Sequence, residues 1–86
     1  VVTDSLSSIK MSFSGDCWVE VHDASGKRVY ADLKRAGQVV SLNVEAPIDV
    51  KLGNGRVVSL EFNGSPVRFA SSKRSGVANV TLSPRP

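Results

Sequence analysis

Hydrophobic and polar residues alternate with a period of two along almost the whole chain, and helical periodicity is nearly absent. Ile9, Met11 and Phe13 alternate with Lys10 and Ser12 and mark a first strand. Cys17 to His22 gives a second, in which Cys17, Val19 and Val21 share one face and Trp18, Glu20 and His22 the other. The apolar trio takes the core side, because a slip of one residue would drive Glu20 and His22 inward. The turn Asp23-Ala24-Ser25-Gly26 has Asp at its start and Gly at its end, which suits a type I turn with a bulge. It leads to a third strand around Arg28 to Asp32.

A fourth strand follows over Gln38 to Val44, with Val40, Leu42 and Val44 inward. Pro47 interrupts the ladder and marks the first residue of a fifth strand, whose Ile48, Val50 and Leu52 alternate with Asp49 and Lys51. Gly53-Asn54-Gly55 predicts a hairpin, since Asn and Gly tolerate positive φ. The return strand points Val58, Leu60 and Phe62 inward against Val57, Ser59 and Glu61. Asn63-Gly64 turns the chain again, and Pro66 leads into Val67-Arg68-Phe69. After a polar loop over residues 70–76, Ala78, Val80 and Leu82 form the last strand, and Pro84 and Pro86 end regular structure.

Tyr30 to Gln38 is the one stretch that also reads as a short helix, with Gly37 as its stop. One or two isolated turns do not offset helix nucleation, so strand plus turn is the preferred reading. Seven to eight short strands with turn residues between them predict an all-β fold, a small antiparallel β-sandwich of immunoglobulin-like architecture. The Cys-Trp-Cys core of antibody domains is missing, so the comparison concerns architecture only. Gly26, Gly37, Gly53, Asn54, Asn63 and Gly64 are assigned to backbone turns.

A chain of 86 residues is expected to be one domain, folded over 6–82, with loose termini at 1–5 and 83–86. At this size folding removes only about 60–65% of the unfolded surface from water, so the core is thin. The absence of an initiating Met is read as an excised domain or a processed fragment. One Cys excludes an internal disulfide, and parity makes Cys17 a buried small hydrophobe rather than a reactive thiol. The net charge of +3 comes partly from the pairs Lys27-Arg28, Lys34-Arg35 and Lys73-Arg74. Spread-out pairs read first as solvated turns and second as an anion-facing surface.

No reaction is legible. His22 and Glu20 supply two potential metal ligands where three or four are needed, and His22 reads as an exposed strand histidine. Nucleophilic catalysis needs a base and an orienting acid in one cleft, and His22 is the only imidazole. Gly53-Asn54-Gly55-Arg56 lacks the helix and Lys-Ser/Thr of a phosphate loop. The expectation is therefore a non-enzyme without metal or cofactor. An outward Trp is costly to expose without a reason, so Trp18, Glu20 and His22 are the candidate partner-binding patch. A structural role for Trp18, packing over a sheet edge or beneath the 70–76 loop, stands beside that. The alternative class is a small basic β-barrel binding nucleic acid or another polyanion, against which Glu20 beside Trp18 argues.

The string Trp18-Val19-Glu20-Val21 with Asp23 and Gly26, then Ala36-Gly37, then Pro47 with Val50, Leu52, Gly53 and Asn54, resembles the C-terminal domain of the RodZ family. Leu60-Glu61-Phe62-Asn63-Gly64-Ser65-Pro66-Val67 and Gly76-Val77-Ala78 continue the resemblance in order, over roughly residues 7 to 82. The sequence departs from the family at Cys17, where Ser is commoner, and at Gly55, commonly Ala. The resemblance implies the periplasmic β domain of a single-pass inner-membrane cell-shape protein. Such proteins couple the MreB cytoskeleton, through a cytoplasmic part absent from this chain, to peptidoglycan synthesis. The implied partners are cell-wall synthesis or morphogenesis proteins, or peptidoglycan itself, with no nucleic acid and no membrane contact by this segment.

Overall fold

Eight strands in two antiparallel sheets build the protein, whose computed structural model describes residues 6–83. The strands are β1 (Leu6–Phe13), β2 (Cys17–His22), β3 (Arg28–Lys34), β4 (Val39–Glu45), β5 (Ile48–Leu52), β6 (Val58–Phe62), β7 (Ser65–Val67) and β8 (Ala78–Leu82). The first sheet has the order β4-β1-β6-β7 and the second β3-β2-β5-β8. Of the termini expected to be loose, 1–5 and 83–86, all but Ser83 lie outside the described residues, Pro84 and Pro86 among them.

The inward sets fill the space between the sheets. Ile9, Met11, Phe13, Val40, Val44 and Leu60 from the first sheet meet Cys17, Val19, Val21, Ile48, Val50, Leu52, Ala78, Val80 and Leu82 from the second. Fifteen buried hydrophobic residues form one cluster, with Leu42, Val58, Phe62 and Phe69 half-buried at its margin. Burial of these side chains, worth about 1.5–3 kcal/mol each, is the main force holding the sheets together.

Only two connections join neighbouring strands of one sheet, and both use positive φ. The Asn63-Gly64 loop between β6 and β7 has φ of 51 and 83, the pattern of a two-residue type I′ hairpin. Between β2 and β3, Gly26 has φ 86 and donates to the Asp23 carbonyl at 2.9 Å. The Asp23 carboxylate accepts from the Ser25 and Lys27 backbone N–H at 2.9 and 3.0 Å and from the Ser25 hydroxyl at 2.6 Å. The predicted bulge follows: the register shifts at Val21/His22, leaving Val29 as the extra residue.

Four expectations need correction. Gly53-Asn54-Gly55 is no hairpin, because β5 and β6 lie in different sheets. The connection crosses the roughly 10 Å between stacked sheets through a 3-10 turn over Gly55–Val57, and φ at Asn54 is −143. Gly53 and Asn54 therefore do not serve positive φ, and closeness is the reason for glycine here. A Cβ on Gly53 would sit 3.3 Å from the Trp18 Cβ, and one on Gly55 2.8 Å from the Ala78 Cβ. The seventh strand is Ser65–Val67 and excludes Arg68 and Phe69. It is a sheet edge, the place where Pro66 costs no ladder bond. Pro47 precedes the fifth strand instead of opening it. Phe62 and Leu42, assigned inward, face the core but are only half covered, since each lies toward the margin of the sandwich.

The stretch open to a helical reading is strand. β3 runs to Lys34, and a turn with Gly37 at φ 87 follows. As an edge strand it buries neither face fully, which is why alternation was weakest there.

Candidate functional site

The outer face of the second sheet is built from alternate residues of its four strands. On β2 these are Trp18, Glu20 and His22. Pairing places Leu33 beside Trp18, Ala31 and Lys51 on either side of Glu20, and Asp49 beside His22. On β8, Asn79 sits opposite Lys51 and Thr81 opposite Asp49.

Trp18 is 43% exposed and Leu33 44%, a pair of large apolar side chains on adjacent strands. The indole is held rather than loose. Its Nε1 donates to Glu20 Oε2 at 2.8 Å, and its Cβ faces Gly53. The Trp18 carbonyl accepts from the Gly53 N–H at 2.8 Å, so the backbone that carries the indole is tied to the end of β5. The indole hydrogen bond holds the Glu20 carboxyl below the usual glutamate range; partial desolvation opposes it, and the charges of Lys51, Arg28 and His22 add to it.

The structure thus joins Trp18 and Glu20 directly. His22, half-buried, belongs to a neighbouring depression of about 210 Å³ shared with Asp49, Lys51, Asn79 and Thr81. Asp49 is engaged there by the Thr81 hydroxyl at 2.8 Å. Among the described residues no three His, Cys, Asp or Glu side chains cluster closely enough to hold a metal ion. Cys17 is buried behind this face, its Sγ accepting from the Asn54 N–H at 3.4 Å. The six turn residues divide: Gly26, Gly37, Asn63 and Gly64 have positive φ, whereas Gly53 lies close against the Trp18 Cβ and backbone and Asn54 caps the 3-10 turn by accepting from the Arg56 N–H.

Sequence reasoning missed Leu33, Ala31 and Lys51 as parts of this face. The signal for the first two was the alternation of Ala31 and Leu33, obscured by the helical reading of the same stretch. Chemically the face offers a rigid aromatic anchor, an aliphatic neighbour and a mixed-charge rim. That combination suits burial against another molecule.

Comparison with known proteins agrees with the resemblance. The family model described as the RodZ C-terminal domain matches residues 10–81. No solved structure matches the chain.

Proposed function

Because the chain belongs to the RodZ C-terminal domain family, we propose that it is the periplasmic, non-enzymatic interaction domain of a RodZ-like cell-shape protein. In this reading it links the MreB system on the cytoplasmic side to peptidoglycan synthesis, by docking on wall-synthesis or morphogenesis proteins. The observation that carries the docking surface is the exposed, hydrogen-bonded Trp18 beside Leu33 on the second sheet. A fixed indole loses little conformational entropy on binding, and Trp is enriched among interface residues that dominate affinity. By contrast, the outer face of the first sheet presents Ser8, Lys10, Ser12, Ser41, Asn43, Ser59 and Glu61, with the exposed Leu6 and Val39 apart at opposite ends, a largely polar surface without an aromatic anchor.

Ala31→Arg tests the reading within the full-length protein. Ala31 is exposed on the edge strand β3, opposite Glu20 and two residues from Leu33, so the larger side chain obstructs docking while removing no packing. Its effect on stability is expected within about 0.5 kcal/mol, as for ordinary surface changes. The variant should accumulate normally and fail to restore rod shape in cells lacking the protein. Full restoration by Ala31→Arg, with the same from Trp18→Ala, removes this face from consideration.

A further inference from the structure

The strands all run between two poles, and the described ends Leu6 and Ser83 lie at the same one. The opposite pole is made of the β1–β2, β3–β4, β5–β6 and β7–β8 loops. Hydrogen bonds knit them together. Ser14 N–H donates to the Val57 carbonyl at 2.8 Å, Gly37 N–H to the Phe13 carbonyl at 2.8 Å and Gly55 N–H to the Gly76 carbonyl at 2.7 Å. The Arg56 guanidinium donates to the Ser72 and Lys73 carbonyls at 3.3 and 2.7 Å, clamping the Lys73-Arg74 turn.

These loops carry Arg35, Arg56, Arg68, Lys73 and Arg74, all exposed, against one carboxylate, Asp16, which lies 4.0 Å from Arg35. Five cations less one anion give +4, whereas the other described residues carry five cations and six anions and sum to −1. Lys34 is not counted, being paired with Asp32 at 3.3 Å on β3. The molecule is therefore polarised along its strands, with its entire positive excess at the pole away from Leu6 and Ser83.

We propose that this pole binds a linear phosphate-bearing polyanion. It goes beyond the docking face of Trp18 and does not depend on it. Among the described residues, the exposed large apolar side chains are Leu6, Trp18, Val29, Leu33 and Val39; Trp18, Leu33 and Val39 stand at strand ends bordering this pole on its β2, β3 and β4 side, and none lies in the four loops. The loops themselves offer charge without an apolar anchor, so contact with Arg68, Lys73 and Arg74 draws its affinity from electrostatics. Arg56 is occupied by its carbonyl partners, and of the four remaining cations three, Arg35, Arg68 and Arg74, are arginines, whose planar forks match phosphate oxygens. The loops also offer no free aromatic platform: Phe69 packs against the core. The phosphates are read, and not bases.

The test is equilibrium binding of short-chain inorganic polyphosphate to the purified chain. With Arg35, Arg68, Lys73 and Arg74 each neutralising a phosphate, affinity should fall about 50-fold between about 50 and 200 mM salt, from a slope of about −0.7 per contact. Lys73→Glu with Arg74→Glu should weaken binding at least about tenfold, while Lys27→Glu with Arg28→Glu, an equal charge change at the other pole, should weaken it less than about threefold. Circular dichroism confirms that both variants fold. The proposal is overturned by no binding at low salt, or by equal loss in the two double variants. Equal binding of poly-glutamate of matched charge also overturns it, as does an oligonucleotide of matched charge binding more tightly than polyphosphate.

Discussion

Asn63 is replaced by Asp, Gly and Ala in the experiment that most closely probes the folding logic. The residue does two separable things. It occupies the left-handed region at φ 51, and its Oδ1 accepts from the Ser8 N–H at 2.8 Å, tying the β6–β7 turn to β1. The backbone bond from Asn63 N–H to the Ser8 carbonyl, at 2.7 Å, survives every substitution. Ala loses the acceptor, worth about 0.5–1.5 kcal/mol because water can reach the exposed Ser8 N–H. It also carries a left-handed penalty of about 1–2 kcal/mol. The sum is about 1.5–3.5 kcal/mol, or roughly 6–28 °C in Tm for a domain of this size. Gly escapes the left-handed penalty but loses the acceptor and gains unfolded-state freedom, costing about 1–2 kcal/mol. Asp keeps an acceptor in the same place and should melt near the parent. Thermal unfolding followed by circular dichroism reads the order Asn and Asp above Gly above Ala. An Ala variant as stable as the parent, or a Gly variant below Ala, refutes the reasoning.

Three further outcomes follow from the geometry. Ile9 is fully buried between Leu42 and Phe62 in neighbouring strands, so Ile9→Ala should cost about 2–5 kcal/mol in urea unfolding, against about 0.5 kcal/mol for the exposed Val39→Ala. Asp23 is held below the ordinary aspartate range, first by the Ser25 hydroxyl, against desolvation, then by the Lys27 and Ser25 backbone N–H groups and the Lys27 charge; Glu20 is lowered as well. A depressed carboxyl contributes stability above its unfolded pKa and loses it as pH falls through the folded one, so urea midpoints should drop below about pH 4 and Asp23→Asn should flatten that drop; midpoints that rise on acidification contradict it. Cys17, 2% exposed, should react with a thiol reagent only as fast as the domain opens, and rapid labelling of native protein would place it wrongly.

What could be read in advance was set by local chemistry. Cys17, Val19 and Val21 against Trp18, Glu20 and His22 admit one inward face, because burying Glu20 costs far more than half-exposing an indole. Asp23 to Gly26 and Asn63-Gly64 carry their own turn geometry in their side chains and positive φ. Gly53-Asn54-Gly55 misled because a sheet-to-sheet crossing and a hairpin draw on the same small residues, and only β5 pairing with β8 tells them apart. Leu33 joined Trp18 through a cross-strand register that depends on the Val29 bulge. The basic pole was hidden for a similar reason. Lys73-Arg74 and Lys27-Arg28 look alike as turn pairs, yet strand direction sends them to opposite ends, and Arg35, Arg56 and Arg68 reach the first pair only through the topology.

Site-specific photocrosslinking in living cells tests the central claim most directly. A photoreactive residue is placed at Lys51 or Asn79 on the outer face of the second sheet, and at Ser41 or Ser59 on that of the first, in the full-length protein. The account predicts a discrete protein adduct from the Lys51 and Asn79 positions that Trp18→Ala abolishes, and none from Ser41 or Ser59. Adducts arising only from the serine face, or adducts at Lys51 indifferent to the loss of the indole, would contradict it.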